Sequence, residues 1–253
     1  MTEDLDLSGR TALVTGSGRN IGRACVLEFA RAGANVVVNT RSNADEANAV
    51  VEEARALGAK AVAALGDVGK PADVDAIVRT AREAFGSVDI YVSNAAVRKR
   101  QSLLEISDED WDAILTSNLS ASFYLARRIV PDMIEKKWGR IMHIAGHDGF
   151  RGSLNRAHNV TAKLGMHGLS KAMAKELGPH GITVNTVVAG SFNTTRDPVH
   201  YPDWTAEGRA KSNPLGRIGD PSELAWLCLF LSSPRSGYMT GQAFHINGGE
   251  NMY

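Results

Sequence analysis

The sequence predicts a doubly wound α/β fold, in which about seven parallel strands are covered by helices on both faces. Three observations favour this fold class. Short runs of consecutive apolar residues alternate along the chain with segments of helical periodicity. The apolar runs lack the polar alternation of half-exposed strands, as expected when both faces of a sheet are covered. A glycine-rich turn joins the first apolar run to the first helical segment.

The first half of the chain contains four predicted strands separated by three predicted helices. Gly58 and Gly86 each follow a periodic segment, where helices commonly end, and Pro71 takes a first-turn position that needs no N–H. The predicted strands are 11–14, 35–40, 59–65 and 89–93, and the predicted helices are 21–32, 44–57 and 71–85.

The second half of the chain contains three further strands. Ser107 and Asp110 resemble a capping box at the start of a long helix, and Asp220 with Glu223 marks the start of the last helix. The predicted strands are 140–145, 182–188 and 243–246, and the predicted helices are 107–134, 157–177 and 220–231. Residues 190–213 have no clear period and are long for a connection, which predicts a functional or mobile segment.

Composition argues against several classes of function. The chain has 253 residues, with 28 Lys and Arg against 28 Asp and Glu, so bulk charge favours neither nucleic acid nor a membrane surface as a partner. The acidic first residues and the lack of a long apolar stretch predict neither a signal peptide nor a membrane span. Cys25 and Cys228 are too few for a disulfide framework or a zinc cluster, and we expect both to be buried thiols. These observations predict a cytoplasmic protein without a metal site.

The glycine-rich turn runs from Thr15 to Gly22 and lies between the first strand and the first helix. Its three glycines allow a tight bend and a close approach of the backbone to a ligand. The free N–H groups and the dipole of the following helix favour a phosphate. An ordinary glycine turn is the alternative, since one such turn is a weak motif by itself.

Five motifs along the chain resemble those of the short-chain dehydrogenase/reductase family. The resemblance implies a Rossmann-type fold and one dinucleotide-binding domain over residues 1–253, with residues 190–213 covering the substrate. It is nearest to the 3-oxoacyl-carrier-protein reductase and sugar dehydrogenase branch. The motifs are Thr15-Gly-Ser-Gly-Arg-Asn-Ile-Gly22, Ser93-Asn-Ala-Ala96, Asn118, Thr183-Val-Asn185 with Ala189-Gly190 and Thr194, and Thr240-Gly-Gln242 with Asn247-Gly-Gly249.

The resemblance implies a nicotinamide cofactor, and charge favours NADP(H) over NAD. An NAD site usually has an acidic residue at the end of the second strand, but here that end reads Asn39-Thr40-Arg41. Arg41 and Arg19 suit a 2′-phosphate, although Arg41 as a solvated surface residue is the alternative. The expected cofactor-binding residues are Gly16, Ser17, Arg19, Asn20, Ile21, Gly22, Arg41, Asp67, Val68, Asn94, Ala95, Lys163, Gly190 and Thr194.

The catalytic positions depart from the family pattern. The family uses a serine after the fifth strand and a Tyr-x-x-x-Lys pair on the next helix. Lys163 matches the lysine, but Asn159 occupies the tyrosine position and Gly146 the serine position. Asparagine can hydrogen-bond but cannot gain or lose a proton at a reachable pKa, and glycine removes a donor to the substrate oxygen, so ordinary ketone and alcohol chemistry should be impaired. The expected catalytic residues are Asn118, Gly146, His147, Asn159 and Lys163.

Three hypotheses follow from this departure. In the first, the chain is an enzyme whose acid/base groups are replaced, for example by His147 or Tyr201. In the second, hydride transfer needs no tyrosine there, or the bound cofactor serves a non-redox reaction. In the third, the chain is a catalytically impaired subunit that binds NADP(H) and acts through a partner chain. His143 and His158 are equally compatible with structural roles.

The substrate and the assembly are less specified. Basic residues at 98–100, 151 and 156 predict a small, anionic substrate such as a carboxylate or acyl thioester, with a solvated charge run as the alternative. Apolar walls are expected from Phe150, His200, Tyr201 and Trp204. The resemblance implies a homotetramer assembled through helices 107–134 and 157–177, or a mixed oligomer.

Overall fold

The computed structural model describes residues 5–196, 198–201 and 204–252. Its centre is a seven-stranded sheet in which every neighbouring pair is parallel, with the strand order β3-β2-β1-β4-β5-β6-β7. This confirms the predicted α/β fold class. The strands are β1 (Thr11–Val14), β2 (Asn35–Thr40), β3 (Ala61–Leu65), β4 (Ile90–Ser93), β5 (Gly139–Gly146), β6 (Ile182–Ala189) and β7 (Ala243–Ile246).

Nine α-helices lie among the described residues, and most begin where the sequence predicts. Asn43, Ser107 and Asp220 cap the helices that follow them, and Asp220 with Glu223 forms a complete capping box. The helices are α1 (Asn20–Arg31), α2 (Ala44–Ala56), α3 (Pro71–Phe85), α4 (Asp108–Leu115), α5 (Ala121–Glu135), α6 (Asp148–Arg151), α7 (Ala157–Leu177), α8 (Ala206–Lys211) and α9 (Pro221–Ser232).

Buried apolar residues cover both faces of the sheet. Val36 and Val38 of β2 belong to one core, together with side chains of α1, α2 and α9. Val37 points to the opposite core, which includes side chains of α3, α5 and α7. This alternation explains why the run Val36-Val37-Val38 of β2 is apolar on both faces of the sheet. Cys25 and Cys228 are buried free thiols in the first core, as expected.

The predicted helix 107–134 is interrupted. A π-helical turn, Thr116–Ser120, separates α4 from α5 and buries Asn118. A further difference lies in the segment 190–213, which contains the short helix α8, and α6 follows β5 directly. None of the helices in the described part of the chain is long and apolar enough to cross a membrane.

Candidate active site

A cleft of about 300 Å³ lies at the carboxyl ends of the strands, between α7 and the segment that follows β6. The strand order reverses between β1 and β4, and ligands of doubly wound sheets bind at such a point. The described lining residues are Ile21, Arg98, Arg100, Ala145, Gly146, His147, Asp148, Arg151, Ser153, Arg156, Asn159, Lys163, Ala189, Gly190, Ser191, Phe192, Thr194, Arg196, Tyr201, Trp204 and Arg209.

The glycine-rich turn packs against the end of β4 too closely for larger residues. Gly16 has φ +60°, and a Cβ built on it would lie 2.8 Å from Ala95 Cα. The Asn94 side chain donates to the carbonyls of Thr15 (2.9 Å) and Gly16 (3.0 Å). Ser17 is fully buried and donates to Val14 O at 2.7 Å. Asn94 and Ser17 therefore fix the shape of the turn from beneath.

The N-terminus of α1 has no side-chain cap. Its N-cap residue, Arg19, makes no capping hydrogen bond, as is also the case for α3, α5, α6 and α7, whereas the N-cap residues of α2, α4, α8 and α9 accept one. The orphan N–H groups of α1 therefore remain free to bind an anion. Asn20, at φ +53°, accepts a hydrogen bond from Thr195 N at 3.0 Å and so links the turn to the segment after β6.

Two arginines lie near the end of β2. Arg41 is exposed, and no ion pair of it occurs within the described residues. Arg19 is 63% exposed, and its Nη1 lies 3.9 Å from Glu46 Oε1. Asn39 is buried and uses its side chain on Gly16 N and on the carbonyls of Ala64 and Gly66. Arg19, Arg41 and Glu46 thus contribute charge at this corner of the site.

The remaining expected cofactor residues lie around the same edge. Asp67 Oδ1 accepts from Gly69 N at 2.9 Å, which makes a tight turn after β3, and Val68 is buried. Gly190 and Thr194 line the cleft.

Asn118 and Asn159 form one hydrogen-bonded group. Asn118 accepts from Val97 N (2.7 Å) and donates to Val97 O (2.8 Å) and to Asn159 Oδ1 (3.0 Å). Asn159 Nδ2 donates to Lys99 O at 3.1 Å. Both ends of the Asn159 amide are therefore engaged by the chain itself.

Lys163 lies deep in the cleft beside these residues. Its Nζ donates to Ile144 O at 2.7 Å. Burial, with a smaller contribution from the charge of Arg98, lowers the pKa of Lys163 to about 7. A lysine with this pKa can hold or release a proton near neutrality.

Gly146 and His147 form the other side of the cleft floor. A Cβ on Gly146 would find no atom closer than Ala189 O at 4.0 Å. His147 Nε2 lies 3.3 Å from Asp148 Oδ1, and Nδ1 lies 3.4 Å from Glu250 Oε2. A carboxylate therefore stands beside each ring nitrogen of His147.

The other two histidines considered from sequence have structural contacts. His143 is buried in the sheet and lies 2.7 Å from Ser170 Oγ through Nδ1. His158 Nδ1 accepts from Asn159 N at 2.8 Å, which leaves the proton on Nε2, 3.3 Å from Gln101 Oε1. Neither histidine lines the cleft.

The expectation about apolar walls is correct for two residues and wrong for two. Tyr201 and Trp204 line the cleft, but Phe150 and His200 do not. The Phe150 ring packs edge-on against the His245 ring, at 4.9 Å between centroids, because α6 turns it towards β7.

Sequence reasoning did not identify Arg196, Arg209 and Glu250 as parts of this site. Arg196 and Arg209 belong to the segment after β6, whose aperiodic sequence gives no register, and Glu250 comes from the far end of the chain. The lack of periodicity in residues 190–213 indicated a functional segment, but it did not indicate which of its residues are functional.

Comparisons with known proteins agree with this geometry. A family model described as enoyl-(acyl carrier protein) reductase matches residues 16–251. The chain is 35% identical to the 3-oxoacyl-[acyl-carrier-protein] reductase FabG of Staphylococcus epidermidis RP62A, over 96% of this chain and 99% of the relative. It is 34% identical to the (2S)-[(R)-hydroxy(phenyl)methyl]succinyl-CoA dehydrogenase subunit BbsD of Thauera aromatica, over 98% and 99%. A mutant short-chain dehydrogenase/reductase of Serratia marcescens superposes with a TM-score of 0.89 at 32% identity, over 97% and 99%.

Proposed function

Because the chain belongs to the short-chain dehydrogenase/reductase family, we propose that it is an NADP(H)-dependent oxidoreductase that acts on a small carbonyl or alcohol substrate through an altered acid/base site. The proposal rests on one observation, which is that two structural features lie next to each other at the carboxyl ends of the strands. These features are the uncapped N-terminus of α1 after Gly16, and a cleft whose floor contains Lys163. The oxidoreductase relatives support the reaction class.

The residues present fit a dinucleotide. The turn at Gly16 leaves no room for a side chain, and α1 offers unpaired N–H groups to a pyrophosphate. Asp67 and Val68 would lie beside the adenine, Asn94 and Ala95 under the ribose, and Thr194 at the carboxamide, as the family pattern implies. When bound, the nicotinamide would supply or accept a hydride.

NADP(H) is favoured because the end of β2 offers cations to a 2′-phosphate. Arg41 has no competing ion pair within the described residues. Arg19 has one long ion pair, in which its Nη1 lies 3.9 Å from Glu46 Oε1. Glu46 is a carboxylate at this corner that could serve an NAD ribose. The Glu46 carboxylate would therefore repel the 2′-phosphate of NADP(H) but accept a hydrogen bond from the ribose 2′-hydroxyl of NAD(H).

We assign the proton-transfer role to Lys163. Asn159 is already engaged at both ends of its amide, and His147 has a carboxylate beside each nitrogen. Lys163 lines the cleft, and burial lowers its pKa to about 7, near the optimum for a group that both donates and accepts protons. Asn118 then acts as a positioning residue, because it fixes Asn159 and the loop at Val97.

A second candidate function is a catalytically impaired subunit that binds NADP(H) and acts through a partner chain. The observation that favours it is the same Asn159 amide, which is hydrogen-bonded at both ends and cannot gain or lose a proton at an accessible pKa. The proposal as a whole also takes residues 1–253 as one dinucleotide-binding domain in a cytoplasmic protein, with residues 190–213 covering the substrate.

Calorimetric titration with NADPH and NADH tests the cofactor. We expect NADPH to bind more tightly, and Arg41→Asp to weaken NADPH binding by at least about tenfold while changing NADH binding little. Glu46→Gln should strengthen NADPH binding. Lys60→Asp is the matched control, since Lys60 is equally exposed but precedes β3 at the opposite end of the sheet.

Equal losses for both cofactors in Arg41→Asp, or weaker NADH binding in Glu46→Gln, would contradict the NADP(H) assignment. Turnover of carbonyl compounds by the wild-type protein, followed by the absorbance of reduced nicotinamide at several pH values, separates the two candidate functions. Turnover at useful rates removes the impaired-subunit alternative, whereas tight cofactor binding without turnover supports it.

A further inference from the structure

The cleft is lined mainly by cationic side chains. Six arginines and one lysine accompany a single carboxylate, that of Asp148, among the described lining residues. The cations are Arg98, Arg100, Arg151, Arg156, Lys163, Arg196 and Arg209. Such a concentration of like charge in a concave site raises the local concentration of anions.

Three of these arginines share two carboxylates. Asp148 lies 3.1 Å from Arg151 and 3.7 Å from Arg156. Glu250, whose side chain is only 3% exposed, lies 4.0 Å from both Arg151 and Arg209. Burial opposes ionisation of Asp148, but His147, Arg156 and Arg151 together lower its pKa to about 2. These two carboxylates are therefore already occupied by protein cations.

Arg98 and Arg196 have no carboxylate partner within the described residues. Arg196 donates to Phe192 O through Nη2 at 3.4 Å, and its buried Nε has no acceptor there. Burial, and next the charge of Arg98, lower the pKa of Arg196 to about 10. A guanidinium that is desolvated and repelled by a like charge gains most from an anionic ligand.

Aromatic rings hold two of the arginines in place. The Arg156 guanidinium lies 4.7 Å from the centroid of the Tyr201 ring. Arg196 lies 5.2 Å from the same ring and 4.5 Å from the Trp204 ring. Stacking on aromatic faces leaves the edges of a guanidinium, where its N–H groups are, available for bidentate binding. The arginines are thus oriented before any ligand arrives.

We propose that Arg98 and Arg196, next to the Arg156 that stacks on the same Tyr201 ring, bind the anionic end of a small carbonyl or hydroxy substrate that carries two negative charges, as a dicarboxylate or a phosphate monoester does. This inference rests on the proposed function only in taking the cleft as the substrate site.

Calorimetry with three probes tests the anion site: malonate, inorganic phosphate and acetate. We expect malonate or phosphate to bind at least about tenfold more tightly than acetate. Arg196→Gln and Arg98→Gln should each weaken dianion binding about tenfold or more. The matched control is Arg79→Gln, an exposed arginine of α3 outside the cleft. Arg98 is exposed, so its variant remains informative if Arg196→Gln does not fold.

Tighter binding of malonate than of phosphate identifies a dicarboxylate substrate, and the reverse identifies a phosphate ester. Dianion binding no tighter than that of acetate, or unchanged in both cleft variants, overturns the inference. NADPH titration of the same proteins separates the two proposals. Dianion binding that depends on Arg196 without any NADPH binding overturns the proposed function alone, whereas NADPH binding without dianion binding overturns this inference alone.

Discussion

Gly146 and Asn159 are the residues that separate this site from the serine and tyrosine that its resemblance to the family implies. A serine fits at position 146, because a Cβ there meets nothing closer than 4.0 Å, and Asn159 lines the cleft. We expect Gly146→Ser with Asn159→Tyr to raise the rate of simple ketone reduction by about 10²- to 10⁴-fold, the usual contribution of a positioned acid. Steady-state oxidation of NADPH measures the gain.

Gly146→Ser with Thr161→Tyr is the control for that pair, since Thr161 is exposed on the same helix, α7. Its rate should equal that of Gly146→Ser alone. A double variant that binds NADPH normally but gains no activity would show that the cleft has changed beyond these two positions.

The locations of the expected site residues were predictable where these residues belong to contiguous motifs. Gly16, Asn94 and Lys163 each stand in a short stretch that keeps its spacing, and all three lie at the predicted edge of the sheet. Arg196 and Glu250 could not be predicted, because their roles depend on contacts with Tyr201 and His147 that only the tertiary structure brings together.

At the scale of elements, a chain of hydroxyl and imidazole groups joins α7 to β5 and β6. Ser170 of α7 donates to Met166 O (2.9 Å) and accepts from Thr186 of β6 (2.9 Å). Because Ser170 already donates its only proton, His143 of β5 must donate to Ser170 through Nδ1. The buried Nε2 of His143 is then unprotonated, and no described residue donates a hydrogen bond to it.

This arrangement predicts a pH dependence of stability. Burial lowers the pKa of His143 to about 4 from 6.5, so the unfolded state binds more protons between these values, and stability falls as the pH falls from 6.5 to 4. The expected loss from this group is about 3 kcal/mol. Denaturant unfolding at several pH values should show a smaller loss in His143→Gln than in the wild type. The exposed His180→Gln is the control, and equal slopes for all three proteins would contradict the prediction.

Element boundaries were predictable where one residue determines them. Gly86, at φ +85°, is the C-cap residue of α3, and Gly58, at φ +90°, follows the C-cap residue of α2, so both helices end close to the positions expected from sequence. The π-helical turn was not predictable, because the insertion that buries Asn118 has no local sequence pattern. Within it, Asn118 makes two hydrogen bonds to Val97, a contact between residues 21 apart in the sequence.

For the molecule as a whole, the sheet was predictable because continuous apolar strands require covers on both faces, and seven such strands occur in the sequence. Which apolar residues remain exposed on the outer surfaces of the covering helices could not be predicted. Phe123 of α5 and Leu164 of α7 are 45% and 46% exposed, and the outer face of α7 continues with Gly168, which has open space beside it. Exposed apolar residues with a small neighbour suit close helix packing between subunits.

We therefore expect the wild-type protein to sediment as a tetramer assembled through these two helices. Phe123→Glu with Leu164→Glu should dissociate it into dimers, because burying two carboxylates opposite a second copy costs several kcal/mol per interface. Leu57→Glu, which changes a comparably exposed leucine after α2, should leave the tetramer intact. Analytical ultracentrifugation over a range of concentrations measures all three proteins. A wild-type monomer, or a double variant that remains tetrameric, would exclude this pair of helices as the assembly surface.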